Sequence, residues 1–454
     1  MLTLLTLLTL LTLLTLPTGH PDHSTKEPRA VTAAIDILDD LHWRGLIAQS
    51  TEEKALREAL TAGMVTYYCG FDPTAPSLHV GNLVQILTMR RLQLAGHRPI
   101  ALVGGATGLV GDPKPTAERA LNDRDVVAVW VERIRAQIEP YLDFTGENAA
   151  LLVNNLEWTA PLSALDLLRD IGRHFRVNRM LAKEAVSARL ESDTGISYTE
   201  FSYQILQGLD FLELFRRHGC TLQTGGSDQW GNLTAGVDLV HRVEGRSLHL
   251  LATPLVTKAD GTKFGKTEGG TVWLDPALTS PYAFYQSWIN VDDRDVVAYL
   301  KFFSFRSRGE IEELAELTRS RPQARSAQRA LAEELTTLVH GANECERAVA
   351  ASRALFGQGS LSELDERTLS LALAELPRWA AMGTSVSVVD ALVGTGLAPS
   401  RAAARRTIKE GGAYLNNEQV TSEDATLDGA AFLRGHWAVL RRGKRHCAAV
   451  EHVR

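Results

Sequence analysis

Three segments in the first half of the chain share one plan, in which an apolar strand runs into a glycine-rich loop and then into a helix. They are VTYYCGFDPTAPSLHVGNLVQILTMRRL, IALVGGATGLVGDP and TLQTGGSDQWGNLTAGVDLV. Helical patterns such as VVAVWVERIRAQI lie between the last two segments. Strands that alternate with helices predict a parallel sheet covered on both faces, an α/β fold. Ligands bind at the carboxyl ends of such strands, so we expect the three polar loops to meet in one cleft.

Four segments of different pattern follow the α/β region, which we assign to residues 34–254. A glycine- and lysine-rich stretch over 255–280 predicts a mobile loop and connection, and 281–355 reads as a compact, charged helical domain. Residues 356–384 are weakly patterned and are interpreted as a linker. Residues 385–454 predict a small α+β unit with a basic helix, and their tail, RGHWAVLRRGKRHCAAVEHVR, carries six Lys/Arg against one Glu. Such a charge run is either a solvated face or a surface that binds RNA backbone.

The first 33 residues begin with MLTLLTLLTLLTLLTL, a three-residue repeat. The apolar run is shorter than the roughly 20 residues of a membrane span. A signal peptide is disfavoured because the first cation is Lys26, whereas such peptides begin with a basic region. We therefore expect a disordered extension over 1–33 and no membrane attachment.

Charge and cysteine content exclude some classes of protein. The formal net charge is −6, so any nucleic-acid contact must use a local basic patch. The four cysteines are far apart in sequence and form no CxxC pair, which argues against a structural zinc site and a disulfide framework. Reduced thiols in a cytoplasm are the expected state. No HExxH motif and no Ser-His-Asp set appear, which disfavours a zinc enzyme and a covalent hydrolase.

The segment DPTAPSLHVGN opens a predicted helix. A helix N-terminus attracts anions through its unpaired N–H groups. Thr74 and His79 would add side-chain donors, and Gly81 would let a ligand approach the backbone. The alternative is an ordinary helix start capped by Ser77, with an incidental histidine.

A second motif, LVTKADGTKFGKTEGG, places Lys263, Lys266 and Thr267 in a glycine-rich loop. Mobile lysines suit a polyphosphate whose charge changes during a reaction. The GxxxxGK[ST] spacing of a P-loop is absent. The alternative is a solvated basic turn.

Polar side chains also mark a helix and two loops. Tyr203, Gln207 and Asp210 are spaced i, i+4 and i+7, on one face of a predicted helix, where they either line a pocket or face solvent. Asp112 ends GGATGLVGDP, and Asp228 lies with Gln229 in GGSDQWGN. Carboxylates in such loops can hold an ammonium group or ribose hydroxyls, although glycine-rich turns are common.

Taken together, these segments resemble a known family. HVGN is similar to the HIGH signature of class I aminoacyl-tRNA synthetases, and KFGKT to their KMSKS loop. YCGFDPTAPSLHVGN, GGATGLVGDP, YTEFSYQILQGLDF and GGSDQWGN together resemble bacterial tyrosyl-tRNA synthetases, and the last domain resembles their S4-type RNA-binding module. The likeness covers nearly the whole chain from about residue 35. It implies a Rossmann-like catalytic domain over 34–254, a helical tRNA-binding domain over 281–355 and an S4-like domain over 385–454.

The resemblance implies an activity in two steps. Tyrosine and ATP, the latter with Mg²⁺, would form tyrosyl-adenylate and pyrophosphate, and the tyrosyl group would then pass to the 3′ end of tRNA(Tyr). No general base is needed, because the tyrosine carboxylate is already ionised at neutral pH. The family also implies a cytoplasmic homodimer without a structural metal.

The resemblance further assigns roles to residues where the motifs match. Tyr68 and Asp210 would bond the substrate's phenol, and Asp112, Tyr203 and Gln207 would hold its ammonium group. Cys69, Gly226 and Asp228 would contact the ribose, and Gly70, Asp72 and Gln229 would line the same site. Thr74 and His79 would bind the γ-phosphate beside Gly81 and Asn82, and Lys263, Lys266 and Thr267 would close over the pyrophosphate.

The chain departs from the family pattern at two places. Asn82 stands where HIGH has its second histidine. The segment KPTAERALN, after Asp112, lacks the Ser-Gly-Lys run of many relatives, and Lys114 and Arg119 are candidate replacements for its phosphate contacts. Two other hypotheses remain open at this stage: a synthetase of the same fold for another amino acid, such as tryptophan, and an RNA-binding protein that has lost catalysis.

Overall fold

The computed structural model describes residues 36–114, 121–193, 195–262, 264–267, 270–383, 385–443 and 446–453. The predicted extension over 1–33 lies outside these ranges, as do Arg119 and Lys263. Among the described residues, no helix is long and apolar enough to cross a membrane.

A six-stranded sheet with its helices forms the first part of the structure. Its strands are β1 Gln49–Ser50, β2 Thr66–Phe71, β3 Arg98–Val103, β4 Leu151–Asn154, β5 Cys220–Gly226 and β6 His249–Thr253. The helices around it are α1 Ile37–Arg44, α2 Glu53–Ala62, α3 Val80–Leu94, α4 Thr107–Val110, α5 Arg124–Ile138, α6 Leu156–Thr159, α7 Ala164–Asp166, α8 Val177–Leu181, α9 Glu184–Leu190, α10 Tyr198–His218 and α11 Trp230–Glu244. The predicted α/β class and the three strand–loop–helix segments are confirmed.

The strand order is β1-β6-β5-β2-β3-β4. All neighbours are parallel except β1, which pairs antiparallel with β6. From the centre of the sheet, β2, β3 and β4 follow one another toward one edge, and β5 and β6 follow toward the other edge. The order of the parallel strands therefore reverses between β2 and β5. In open α/β sheets a ligand crevice forms outside the carboxyl ends of the strands at such a reversal. This topology brings the loops after β2, β3 and β5 to one side.

A two-stranded ribbon and a helical bundle follow the sheet. The ribbon pairs β7 Lys266–Thr267 with β8 Gly270–Thr271. The bundle contains α12 Pro281–Ile289, α13 Asp293–Phe303, α14 Arg308–Ser320, α15 Ser326–His340 and α16 Ala342–Leu355. Leu83 and Ile86 of α3 share one buried cluster with Trp288, Phe303 and Leu331 of the bundle. The sheet and the bundle are therefore packed through a common core.

The C-terminal module is built on a five-stranded sheet of order β12-β11-β14-β15-β9. Its elements are α17 Glu366–Ala374, β9 Arg378–Met382, β10 Val386–Ser387, α18 Val388–Gly394, α19 Arg401–Lys409, β11 Ala413–Leu415, β12 Glu418–Gln419, β13 Thr426–Leu427, β14 Trp437–Arg442 and β15 His446–Val453. Strands β14 and β15 form a hairpin, so much of the basic tail is paired backbone.

The predicted linker over 356–384 is wrong. This stretch contains α17 and β9, and β9 pairs parallel with β15 at the far end of the chain. Leu369 and Leu373 of α17 lie in a buried cluster with Leu355 and with Val439 of β14. The segment therefore belongs to the packed C-terminal module.

Candidate active site

A cavity of about 480 Å³ lies at the carboxyl ends of β2, β3 and β5 and extends to the loop at 254–271. The predicted site residues within the described ranges line it, with three exceptions. Lys266 and Thr267 are described at the level of the backbone strand, and the candidate phosphate contact Lys114 is not among the lining residues. The predicted residues that line it are Tyr68, Cys69, Gly70, Asp72, Thr74, His79, Gly81, Asn82, Asp112, Tyr203, Gln207, Asp210, Gly226, Asp228 and Gln229. Residues from distant parts of the chain are thus gathered in one cleft.

The start of α3 is organised by two side chains of the HVGN motif. The Gly81 N–H donates to His79 Nδ1 at 3.0 Å, and the His79 N–H donates to Asn82 Oδ1 at 3.1 Å. This reciprocal pair is a capping box, which satisfies two backbone donors at the helix start. Asn82 therefore has a structural role in this chain. Ser77, the cap in the alternative interpretation, instead donates to the Leu78 carbonyl at 2.7 Å.

The deep end of the cleft contains Tyr68 and Asp210, both almost completely buried. Asp210 accepts hydrogen bonds from Asn155 Nδ2 at 3.0 Å and from Trp158 Nε1 at 2.9 Å. Burial raises the pKa of Asp210 to about 8, although these two donors act in the opposite direction. Burial also raises the pKa of Tyr68, and its ring meets Phe211 edge-on, with centroids 5.2 Å apart.

A hydrogen-bonded chain crosses the middle of the cleft. Tyr203 donates to Asp72 Oδ2 at 2.7 Å, and Thr107 donates to Asp72 Oδ1 at 2.6 Å. Asn155 donates to Thr107 at 3.0 Å and so connects this chain to Asp210. Gly104 is required beside it, because a Cβ there would lie 2.0 Å from Asp72 Oδ1. The helix face of Tyr203, Gln207 and Asp210 therefore lines a pocket and is not a solvent-facing stripe.

A second polar cluster surrounds Asp112. Gln229 Nε2 donates to Asp112 Oδ2 at 3.0 Å, and Asn232 Nδ2 donates to Asp112 Oδ1 at 3.0 Å. Lys183 donates in turn to Asn232 Oδ1. Burial lowers the pKa of Lys183 to about 7, and the nearby Asp112 acts in the opposite direction.

Four buried polar atoms on side chains that line the cleft have no hydrogen-bond partner within the described structure. They are the Tyr68 hydroxyl, Gln85 Oε1, Gln207 Oε1 and Gln223 Oε1. A buried polar group without a partner costs on the order of 1–3 kcal/mol, so these atoms mark where a polar ligand would be received.

The loop before the bundle joins the cleft from the opposite side. The Val80 N–H donates to the Val272 carbonyl at 3.1 Å, and the Leu274 N–H donates to the Leu78 carbonyl at 2.9 Å. Phe264 packs against Tyr299 and Trp288, with ring centroids 4.4 Å and 5.0 Å apart. The HVGN and KFGKT motifs are thus neighbours.

Lys114 lies two residues after Asp112, in the loop that follows α4. Its backbone carbonyl accepts a hydrogen bond from Arg189 Nη1 at 3.3 Å.

Comparison with known proteins identifies the family. A profile described as "tRNA synthetases class I (W and Y)" matches residues 61–357, and one described as "Tyrosine--tRNA ligase SYY-like C-terminal domain" matches residues 369–450. The tyrosine–tRNA ligase of Streptomyces griseus is 67% identical over 92% of this chain and 98% of its own. The tyrosine–tRNA ligase of Acidothermus cellulolyticus is 66% identical over 91% of this chain and 99% of its own. The chain belongs to the tyrosine–tRNA ligase family.

Solved structures of tyrosyl-tRNA synthetases agree with the observed architecture. A C-terminally truncated mitochondrial enzyme from Coccidioides posadasii matches with a TM-score of 0.61 and 32% identity, covering 69% of this chain and 91% of its own. A C-terminally truncated mitochondrial enzyme from Aspergillus nidulans matches with a TM-score of 0.64 and 30% identity, covering 71% of this chain and 94% of its own. A Plasmodium falciparum tryptophanyl-tRNA synthetase, at 14% identity and a TM-score of 0.51, shares the fold alone.

The predicted family, function and enzyme class are confirmed. The chain is a tyrosine–tRNA ligase, which activates tyrosine with ATP and transfers it to tRNA. The sequence relatives and the C-terminal profile set aside the tryptophan and non-catalytic alternatives. No group of three or more His, Cys, Asp or Glu side chains that could hold a metal was found within the described ranges.

Several residues of this synthetase site were missed in the sequence analysis. They are Asn155 and Trp158 beside Asp210, Thr107 beside Asp72, and Asn232 and Lys183 beside Asp112. Asn155 directly follows β4, so the rule that ligands lie at strand ends could have found it. Lys183 and Trp158 carry no signal in the local pattern, because the tertiary fold alone brings them to Asn232 and Asp210.

Proposed function

We propose that the deep end of the cleft receives the phenol of tyrosine. The phenolic O–H would donate to Asp210, and the Tyr68 hydroxyl would donate to the phenolic oxygen. This is supported by the burial of both side chains and by the Tyr68 hydroxyl, which lacks a partner there. Phenylalanine in the same place would leave both buried groups unpaired, so the site would reject it.

The ammonium group of tyrosine would lie between Asp112, Tyr203 and Gln207. A carboxylate and two neutral oxygens suit an ammonium donor. Gln207 Oε1 has no partner in the described structure, and Asp112 already faces the cavity between two amide groups. Gln229 and Asp72 would orient this end of the substrate.

ATP would bind along the loops after β2 and β5. Cys69, Gly70, Gly226 and Asp228 would contact the ribose, and Thr74, His79 and Gly81 would face the phosphates at the start of α3. Asn82 would act through its capping bond to His79. Burial raises the pKa of Cys69 to about 12, so its thiol stays protonated and is suited to hydrogen bonding. Lys263, Lys266 and Thr267 would close over the pyrophosphate, with Lys114 and Arg119 as further phosphate contacts.

The reaction would proceed by positioning and by stabilisation of charge. The tyrosine carboxylate attacks the α-phosphorus of ATP, which enters as its magnesium complex, and the bond to pyrophosphate breaks. A terminal ribose hydroxyl of the tRNA then attacks the carbonyl carbon of the adenylate, and AMP leaves. The site would lower the activation barrier mainly by aligning the reacting groups and by holding hydrogen-bond donors where negative charge develops.

The remaining chain would supply tRNA contacts and a dimer. We assign tRNA binding to the helical domain and to the C-terminal module, whose α19 carries a row of basic residues. A homodimer is supported by large apolar side chains exposed between residues 121 and 198, including Leu165 at 79% and Tyr198 at 68%. We assign a cytoplasmic location, in which the four buried cysteines would stay reduced.

The proposal is tested by ATP–pyrophosphate exchange with each of the twenty amino acids. We expect exchange with tyrosine alone, and we expect Lys266→Ala to lower the rate by about 10²–10³-fold while tyrosine affinity stays within twofold. Lys258→Ala is the matched control, because it removes a lysine of the same segment outside the motif. Equal rates in Lys266→Ala and wild type would remove that lysine from the mechanism, and exchange with another amino acid would overturn the pocket assignment.

A further inference from the structure

A lysine outside the cleft is connected to the Asp112 cluster. Lys183 lies immediately before α9, and its side chain stem packs beside Gly231, where a Cβ would lie 3.3 Å from Lys183 Cε. Its Nζ donates to Asn232 Oδ1, and Asn232 is a buried side chain. Lys183 does not line the active-site cavity. It lines a neighbouring cavity of about 370 Å³ on the other side of Asn232.

The chemistry of these groups fixes the direction of the hydrogen bonds between them. The ammonium form of Lys183 only donates, so it contacts the oxygen of the Asn232 amide and turns the Nδ2 group toward Asp112. Asn232 Nδ2 also donates to Gln229 Oε1 at 2.9 Å. That contact takes the oxygen of the Gln229 amide and turns its Nε2 group toward Asp112. The orientation of both amides therefore follows from the hydrogen bond that Lys183 donates to Asn232.

The result is a carboxylate held from both sides. Asp112 Oδ1 accepts from Asn232 and Asp112 Oδ2 accepts from Gln229, each at 3.0 Å. Each oxygen of this carboxylate therefore has an amide donor that fixes its orientation. The positive charge of Lys183 also lies close enough to interact electrostatically with Asp112.

A second contact from the same segment reaches the backbone next to Asp112. Arg189 of α9 donates to the Lys114 carbonyl at 3.3 Å and forms a fully buried ion pair with Glu200 of α10 at 3.1 Å. The segment from Lys183 to Arg189 therefore contacts both the side-chain cluster and the main chain of the Asp112 loop.

We propose that Lys183 is a positioning residue for amino-acid recognition, which acts through Asn232 and Gln229 to hold Asp112 in the orientation that receives the substrate ammonium. The inference rests on the proposed role of Asp112. It assigns Lys183 no contact with the substrate.

The test compares tyrosine with its analogue 3-(4-hydroxyphenyl)propionate, which keeps the phenol and carboxylate but lacks the ammonium group. Lys183→Met keeps the length of the side chain and removes its donor. We expect this variant to raise the KM for tyrosine about tenfold in pyrophosphate exchange with a smaller change in kcat, and to leave the inhibition constant of the analogue within twofold. Arg179→Met, which removes a cation lining the same neighbouring cavity, is the charge-matched control and should change neither value.

A double-mutant cycle separates this inference from the proposed function. Asp112→Asn alone should weaken tyrosine and spare the analogue, and adding Lys183→Met to it should have no further effect, because Lys183 acts only through Asp112. If Asp112→Asn weakens both ligands equally, the proposed role of Asp112 fails. If Asp112→Asn is selective but Lys183→Met changes neither ligand, or changes both equally, the positioning role alone is overturned. Lys183→Arg, which restores a donor, should recover part of the tyrosine affinity.

Discussion

At the scale of single residues, the most unusual environment in this synthetase is that of Asp210. Two N–H donors, from Asn155 and Trp158, favour its ionised form, whereas burial favours its neutral form and dominates. Its pKa of about 8 lies above the ordinary value of an aspartate. The neutral carboxyl therefore contributes stability that is present below about pH 4 and is lost as the pH rises through about 8. A phenol that donates its O–H to Asp210 instead favours the ionised carboxylate.

We predict that tyrosine affinity rises with pH between about 6 and 8. A phenolic O–H donates best to an ionised Asp210, and well below pH 8 the ionised fraction falls about tenfold per pH unit. The dissociation constant for tyrosine should therefore increase as the pH falls, and binding at pH 7 should release a proton. Titration calorimetry at several pH values, in buffers that differ in ionisation enthalpy, measures both quantities.

Two variants serve as controls for this pH dependence. Asp210→Asn should bind tyrosine more weakly and should lose the part of the pH dependence that belongs to Asp210, because its amide does not titrate. Lys183 has a pKa of about 7 and titrates in the same range, so Lys183→Met should retain the dependence that belongs to Asp210. A dissociation constant for the wild type that does not vary between pH 6 and 8 would refute the role given to Asp210.

The sequence predicted those site residues that occupy recognisable positions. Tyr68 lies within β2, Asp112 follows α4 in the loop region after β3, and Asp228 follows β5. Tyr203 and Asp210 share a helix face, so local patterns were sufficient for all five. Trp158 and Lys183 could not be found in this way. Trp158 is 52 residues from its partner Asp210, and Lys183 is 49 residues from Asn232. Such contacts depend on how α6 and α9 pack, which local periodicity does not encode.

At the scale of elements, the KFGKT loop is attached to the bundle by one aromatic side chain. Phe264 lies among Trp288, Tyr299 and Phe303, and its N–H donates to the Val256 carbonyl at 3.0 Å. Gly265 follows with a φ of +83°, and a Cβ there would lie 2.5 Å from Val80 Cγ2. Within its described part, the KFGKT motif therefore has an aromatic anchor, Phe264, and a glycine, Gly265, where it crosses the start of α3.

We predict that Phe264→Ala lowers kcat for tyrosyl-adenylate formation about tenfold and leaves the KM for tyrosine within twofold. Without its anchor, the loop would spend less time over the phosphates, whereas the tyrosine pocket lies on other elements. Rapid-quench measurement of adenylate formation separates the two effects. Phe264→Leu, which keeps an apolar side chain, should be close to wild type, and Phe305→Ala, in an exposed position of the bundle, should be neutral. An unchanged kcat in Phe264→Ala would show that the aromatic contact does not control the loop.

The sequence predicted long, periodic elements well and short edge strands poorly. Helix α10 was recognisable from its apolar spacing, and Ser197 caps its start through the Glu200 N–H while Gly219 ends it with a φ of +63°. Strand β9 was read as linker because its sequence, RWAAM, has one buried residue, Ala381, and no alternation of strongly apolar side chains. Its pairing partner, β15, is about 70 residues away, which a local pattern cannot reveal.

At the scale of the whole molecule, the C-terminal module is joined to the helical bundle by a shared buried cluster. Tyr282 of α12 and Leu355 of α16 pack with Leu373 of α17 and with Val439 and Ala449 of the terminal hairpin. Asn417 Nδ2 also donates to the Ala354 carbonyl at 2.6 Å. A truncation within the module would therefore break a core, whereas one at its border would remove the module as a unit.

We predict different results for two truncations. A chain ending at Gly357 should retain pyrophosphate exchange and lose most tRNA charging, because the cleft is complete before that residue. A chain ending at 384 should be less stable in urea than the one ending at Gly357, because β9 and α17 remain without their partners. Both should sediment as homodimers, since the exposed apolar residues between 121 and 198 are retained. Loss of exchange in the shorter chain would mean that the module supports the catalytic fold.

The order of strands in the central sheet also has a consequence for synthesis on the ribosome. Strands β1 and β2, made early, are separated in the finished sheet by β6 and β5, which are made well over a hundred residues later. Because β5 and β6 lie between them, this part of the sheet cannot be completed until residue 253 has left the exit tunnel. Until then the crevice between β2 and β5 does not exist. An unfinished copy of this enzyme is therefore unable to consume the ATP and tyrosine on which its own translation depends.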